Sequence, residues 1–189
     1  MTDLMTEKRM DVQSLLGRIE ALETRLADVE DQIPSDRVTI VVFSGELDRV
    51  LASLVIGTGA LAMGLEVSYF FTFWGITTLK DNKTLGGKTL FEKMMTMMTP
   101  AGTKGMGVSR MNFFGIGAQM LRSMMVENNV ESVESMFQMV KDMGATMYSC
   151  TMSQDVMGIE TSELIDGTID AGAATMIADG IDSKFTLFI

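Results

Sequence analysis

The chain has 189 residues, 47% of them hydrophobic, which is enough for one compact domain with a real core plus an appendage. Its 15 Lys and Arg against 25 Asp and Glu give a net charge of −10, a balance that repels phosphate backbones and argues against nucleic-acid binding. The absence of histidine removes His-based general bases, Ser-His-Asp and Cys-His pairs and nearly every common zinc or non-haem iron site, and a single cysteine allows no internal disulfide.

Residues 1–36 carry four basic and nine acidic side chains. Within them Val12, Leu15, Ile19, Leu22, Leu26, Val29 and Ile33 recur at alternating steps of three and four, an a/d heptad stripe that Pro34 stops. This predicts an amphipathic N-terminal helix over residues 1–34. Such a helix either forms a coiled coil in a homo-oligomer or packs singly on its own domain. No basic region followed by an apolar stretch and a cleavage site opens the chain, and with one thiol this predicts a cytoplasmic protein.

A second region, 35–189, begins with Arg37–Phe43, a β-branched apolar run of strand length. A helical pattern follows from Glu46 to about Met63 and Gly64 is placed to end it; Glu66–Phe73 then reads as a second buried strand. The order β-α-β favours a parallel sheet. The longest uncharged run, Val50–Leu65, is too short to span a bilayer and reads as a buried core element, while a membrane-surface role stays open.

Between Gly75 and Gly117 six basic residues (Lys80, Lys83, Lys88, Lys93, Lys104, Arg110) meet two acidic ones. A helix is expected near Phe91–Met98, followed by a mobile, partly cationic loop through Arg110. Those charges predict a solvated loop, or one that steers an anionic sulfur compound or an acidic carrier. The chain holds 20 methionines, and the segment 94–111 leaves three roles open as core, lid or partner surface. A soft-metal site would use Met94, Met95, Met97 and Met98 for Cu(I), but helical spacings such as Met136, Met139 and Met143 favour adaptable packing.

Helices are expected at about 117–128 and at 132–143, the latter with Ser132 as N-cap and Gly144 as terminator. Ala145–Ser149 is then a third strand with Cys150 at its carboxyl end. A turn at Gly158, a helix near Thr161–Asp166, a short strand near Ala173–Met176 and a final strand Lys184–Ile189 complete the reading. In open α/β sheets ligands bind outside the carboxyl ends of strands, where backbone N–H groups favour a thiolate. The alternative is a buried structural cysteine, since free Cys is among the most buried residue types.

The segment Cys150-Thr-Met-Ser-Gln-Asp-Val-Met-Gly-Ile159, with Phe71-Thr-Phe-Trp-Gly75 and Lys104–Gly117, resembles the DsrE/DsrF-like family, in particular its DsrE-type branch of "peroxiredoxin family" proteins. The likeness runs over about residues 37–189. It implies an α/β domain with a flavodoxin-like parallel sheet and helices on both faces, and a cytoplasmic, oligomeric sulfur carrier or sulfurtransferase. On this resemblance Cys150 is the cysteine that takes sulfane sulfur, with rhodanese-like or TusA-like proteins as donor and acceptor and without metal or cofactor. N–H groups of Thr151 to Ser153 and the Ser153 hydroxyl would be the stabilising donors, Trp74 and Met152 an apolar wall, and Gly75 a further substrate-binding position; Ser153 as an ordinary cap and Trp74 as a core aromatic are the alternatives. Gln154 departs from the methionine expected there. The lack of a second thiol leaves intermolecular exchange as the route for sulfur. Two other classes remain open: a non-catalytic oligomeric interaction module built on residues 12–33, and a Met-rich soft-metal or membrane-surface protein.

Overall fold

The computed structural model describes residues 2–30, 33–81, 88–99 and 102–189, in two compact units, 1–34 and 35–189. The first is a single helix, α1, Thr2–Glu30. It stops before Ile33, the last position of the heptad stripe, so Ile33 lies beyond the helix.

The second unit is built on five parallel strands: β1 (Ser35–Val42), β2 (Glu66–Phe71), β3 (Thr146–Cys150), β4 (Thr168–Ala171) and β5 (Ser183–Phe188), ordered β4-β3-β2-β1-β5. Helix α2 (Leu47–Ala62) links β1 to β2, and α3 (Leu90–Met98), α4 (Ile116–Glu127) and α5 (Val133–Asp142) fall between β2 and β3. Helix α6 (Thr151–Met157) follows β3 directly, and α7 (Ala173–Asp182) joins β4 to β5. The flavodoxin-like layering implied by the resemblance is present. New strands are added outward from β1 to β4, and the chain then returns to place β5 on the other side of β1.

Successive strand residues point to opposite faces, and this assigns the helices to layers. Tyr69 faces α2, where its hydroxyl donates to the Ser53 carbonyl at 3.3 Å, and Phe71 on the same face stacks on Phe137 of α5 with ring centres 6.0 Å apart. Ser68 points the other way. Thr39 lies between Ser68 and Ser183 at 3.0 and 2.8 Å, and Ser183 donates to the Asp179 carbonyl of α7. The central strands β1 and β2 are thus buried on both sides, which is why they read as apolar runs without alternation. Ser132 caps α5 by accepting the Ser135 N–H at 3.1 Å, and Gly144 follows it with φ of 92°, both as expected.

Four expectations are corrected. The second strand ends at Phe71 rather than Phe73, because Phe73 takes a left-handed backbone (φ 45°) that turns the chain into a 3-10 helix, Phe73–Leu79. The helix expected near 161–166 is one 3-10 turn, Thr161–Glu163, closed by a reciprocal Glu160/Glu163 capping box, after which Leu164 pairs with Lys80 as extended chain. The strand expected near 173–176 is instead the start of α7, where alanines favour helix, and the β-branched Thr168 and Ile169 before it form the strand. The cationic segment is only partly solvated. Lys80 and Lys88 are buried on Glu163, with Nζ–O distances of 3.4 and 2.6 Å. Lys83 lies outside the described residues, as do the side chains of Met95 and Met98, whereas Met94 and Met97 are exposed.

Candidate functional site

Cys150 is the last residue of β3 and the N-cap of α6, so the strand passes into the helix with no loop between. Burial of the segment explains the compact junction: Ser149, Cys150 and Ser153 are at most 3% exposed. The parallel register sets Phe71 of β2 opposite Ser149, which brings Thr72, the next residue, beside Cys150. Thr72 is fixed there by its N–H, which donates to the Val42 carbonyl at 3.0 Å, and its Oγ1 lies 2.9 Å from Ser153 Oγ.

These groups determine the state of the thiol. Burial pushes Cys150 up, but the Ser153 hydroxyl and N–H, the Thr72 hydroxyl and the Met152 N–H together more than reverse this and leave the thiol below its ordinary value. The two hydroxyls carry one proton each. When one donates to the sulfur, the other can close the Thr72–Ser153 contact, so the pair acts as a short relay rather than as two independent donors.

Gln154 is buried and spent on hydrogen bonds. Its Nε2 donates to Ser149 Oγ at 2.8 Å and to Asp170 Oδ1 at 2.7 Å, while Thr161 Oγ1 donates to Asp170 Oδ2 at 2.7 Å. An amide here ties the first turns of α6 to β3 and β4, a role that methionine would not fill.

The structure brings Cys150, Met152 and Ser153 together through backbone and hydroxyl groups, with the Met152 side chain exposed and Thr151 beside it as the first residue of α6. Trp74 lies elsewhere. With Phe43, Ser44, Glu46, Arg49 and Thr77 it borders a cleft of ≈ 490 Å³ at the carboxyl end of β1, two strands from Cys150, and Cys150 does not line it. Gly75 is buried beneath this cleft, its N–H donating to the Phe43 and Thr72 carbonyls, and a Cβ there would collide with the Val42 carbonyl. Its backbone role is therefore to let the 3-10 helix fold over the end of β1. Thr72 is the neighbour that the sequence alone does not reveal. It is far from Cys150 along the chain, and only the β2–β3 register makes them adjacent.

Residues 34–188 match the model of the DsrE/DsrF/DrsH-like family. The chain belongs to this family. The matched stretch covers every strand and helix of the α/β unit and leaves α1 outside it. Among similar proteins, the uncharacterized protein YrkE of Bacillus subtilis (strain 168) is 38% identical over 154 residues, covering 81% of this chain and 96% of that one. The sulfur carrier protein DsrE2 of Allochromatium vinosum is 28% identical over 157 residues, covering 81% and 98%. The crystal structure of the ychN protein from E. coli superposes with a TM-score of 0.49 at 14% identity, covering 81% of this chain and 98% of that one. Among the described residues no helix is long and apolar enough to cross a membrane, and no three His, Cys, Asp or Glu side chains gather in a group able to hold a metal ion.

Proposed function

We propose that this protein is a sulfur carrier in which Cys150 accepts sulfane sulfur as a persulfide and passes it to a partner thiol. Family membership and the likeness to a sulfur carrier support a sulfur-relay role in general. The observation that carries the finer reading is the placement of the chain's only sulfhydryl at the N-terminus of α6 beside the paired Thr72 and Ser153 hydroxyls, which with the Met152 and Ser153 N–H groups hold the thiol below its ordinary value.

The chemistry is balanced without any redox partner. Cys150 thiolate attacks the outer sulfur of a donor persulfide, the donor's S–S bond breaks, the donor thiolate leaves and Cys150-S-SH forms. An acceptor thiolate then attacks that outer sulfur, and Cys150 thiolate is the leaving group. The depressed acidity of the thiol serves both steps, since it supplies the attacking anion and makes Cys150 a good leaving group. Rhodanese-like or TusA-like proteins are the donor and acceptor class this exchange suits, and a reducing cytoplasm keeps their thiols available.

Intact-mass analysis after incubation with inorganic polysulfide or a persulfidated donor protein tests this. The expected result is a gain of about 32 Da per added sulfur, reversed by an acceptor thiol and absent in Cys150→Ser. Wild-type protein that gains no sulfur from any of these donors would overturn the proposal.

A further inference from the structure

Among the described residues the apolar stripe of α1 has no partner within its own unit, and its flanking charges specify one. In heptad notation Val12, Ile19 and Leu26 occupy a, while Leu15, Leu22 and Val29 occupy d. Each is 47–59% exposed on the helix surface. The flanking g positions are Arg18 and Arg25, and the e positions one heptad on are Glu23 and Glu30. Residues on one helix meet at spacings of three and four, so Arg18 and Glu23, or Arg25 and Glu30, do not face each other within α1. Among the described residues none of the four makes an ion pair.

Two helices side by side change this. In a parallel, in-register pair, g of one heptad faces e of the next heptad on the partner helix, so Arg18 meets the second copy's Glu23 and Arg25 its Glu30. The two-fold axis repeats both pairs. An antiparallel pair would set g against g and e against e, so these four residues could meet one another only as Arg–Arg or Glu–Glu. The first two heptads, with Val12 and Ile19 at a and Leu15 and Leu22 at d, carry the combination that favours two strands; the third, with Leu26 at a and Val29 at d, does not. We propose that α1 docks on α1 of a second copy as a parallel, in-register, two-stranded coiled coil, so that the protein carries two Cys150 sites per assembly.

Disulfide trapping in the full chain tests this. In a Cys150→Ser background, Ile19→Cys at a should form a covalent dimer on mild oxidation, as should Leu22→Cys at d. Glu20→Cys, on the outer face, should not. Adding Arg18→Glu and Arg25→Glu should slow trapping at Ile19→Cys at least tenfold. Adding Glu23→Arg and Glu30→Arg on top should restore it, because each g–e pair is again of opposite sign. An antiparallel pair would be indifferent to these exchanges and would not trap Ile19→Cys. Equal trapping at positions 19 and 20, no trapping at 19 or 22, or full-speed trapping in the Arg-to-Glu protein would each overturn the proposal.

Discussion

Replacing Ser153 by alanine tests whether the hydroxyl relay governs the reactivity of Cys150. The substitution removes one donor to the sulfur but leaves the N–H groups of Met152 and residue 153, and frees the Thr72 hydroxyl, now 2.9 Å from a vanished acceptor, to turn onto the sulfur. A hydrogen bond to a charged group contributes about 1.5–3 kcal/mol, and the compensation by Thr72 places the net loss near the lower figure. That lowers the thiolate population about tenfold at any pH on the acid side of the titration, since 1.4 kcal/mol is a factor of ten. The thiolate that remains is a better nucleophile. With a Brønsted slope of about 0.4–0.5, its intrinsic rate rises roughly threefold. Alkylation by iodoacetamide, followed by mass spectrometry across pH, should therefore run about threefold slower than wild type on the acid side and about threefold faster on the alkaline plateau. The two profiles cross. Unchanged profiles, or a uniform loss of rate at all pH values, would refute the relay, the latter pointing to altered access instead. Thr72→Val combined with Ser153→Ala should widen the separation.

Three further outcomes follow from the same geometry. Because the folded thiol of Cys150 lies below its ordinary value, its contribution to stability is fully present above the unfolded thiol's pKa and lost as pH falls through the folded one. Urea unfolding of wild type against Cys150→Ser should show a stability difference that moves in favour of wild type as pH rises, and a flat difference would count against the donors. Glu163→Gln leaves two buried ammonium groups facing a neutral amide, so it should cost about 3–5 kcal/mol in the same assay, and a loss below 1 kcal/mol would mean the cluster is solvated in solution. Gly75→Ala drives a Cβ into the Val42 carbonyl and should destabilise by roughly 1–3 kcal/mol; an unchanged thermal midpoint would show that the 3-10 helix can lift off β1 freely.

The parts of the fold that were legible in the sequence are those where one principle acts alone. Val38–Val42 and Val67–Phe71 are buried on both faces and so appear as plain apolar runs; Ser132 and Gly144 mark the ends of α5 because caps depend on local chemistry. Cys150 at the carboxyl end of β3 is legible in the same way, because Gly144 and the run Ala145–Ser149 mark that strand locally. The third quarter of the story was not local. Lys80, Lys88 and Glu163 come from separate segments, and a lysine bound for a buried carboxylate looks no different in sequence from one bound for water. Helix α6 has seven residues, too few to display a helical period, and its start is concealed by the strand that runs straight into it. Thr72 became visible only once strand order and register were known, because the β2–β3 pairing joins residues that no motif spacing links.

Burial of Cys150 also bears on which sulfur a partner can reach. At 3% exposure Cys150 is nearly covered, and burial alone would favour the protonated thiol, so the groups of Ser153, Thr72 and Met152 are what bring it below its ordinary value. In the proposed persulfide the outer sulfur would lie about 2 Å from the inner one, a disulfide bond length. The inner sulfur would remain beside the Thr72 and Ser153 hydroxyls at the N-terminus of α6. An incoming thiolate therefore meets the outer sulfur first. Attack there transfers sulfur and returns Cys150 as a stabilised thiolate, whereas attack on the inner sulfur would discard the cargo and leave a mixed disulfide. Under the proposed function, the cover over Cys150 would favour attack on the outer sulfur over attack on the inner one.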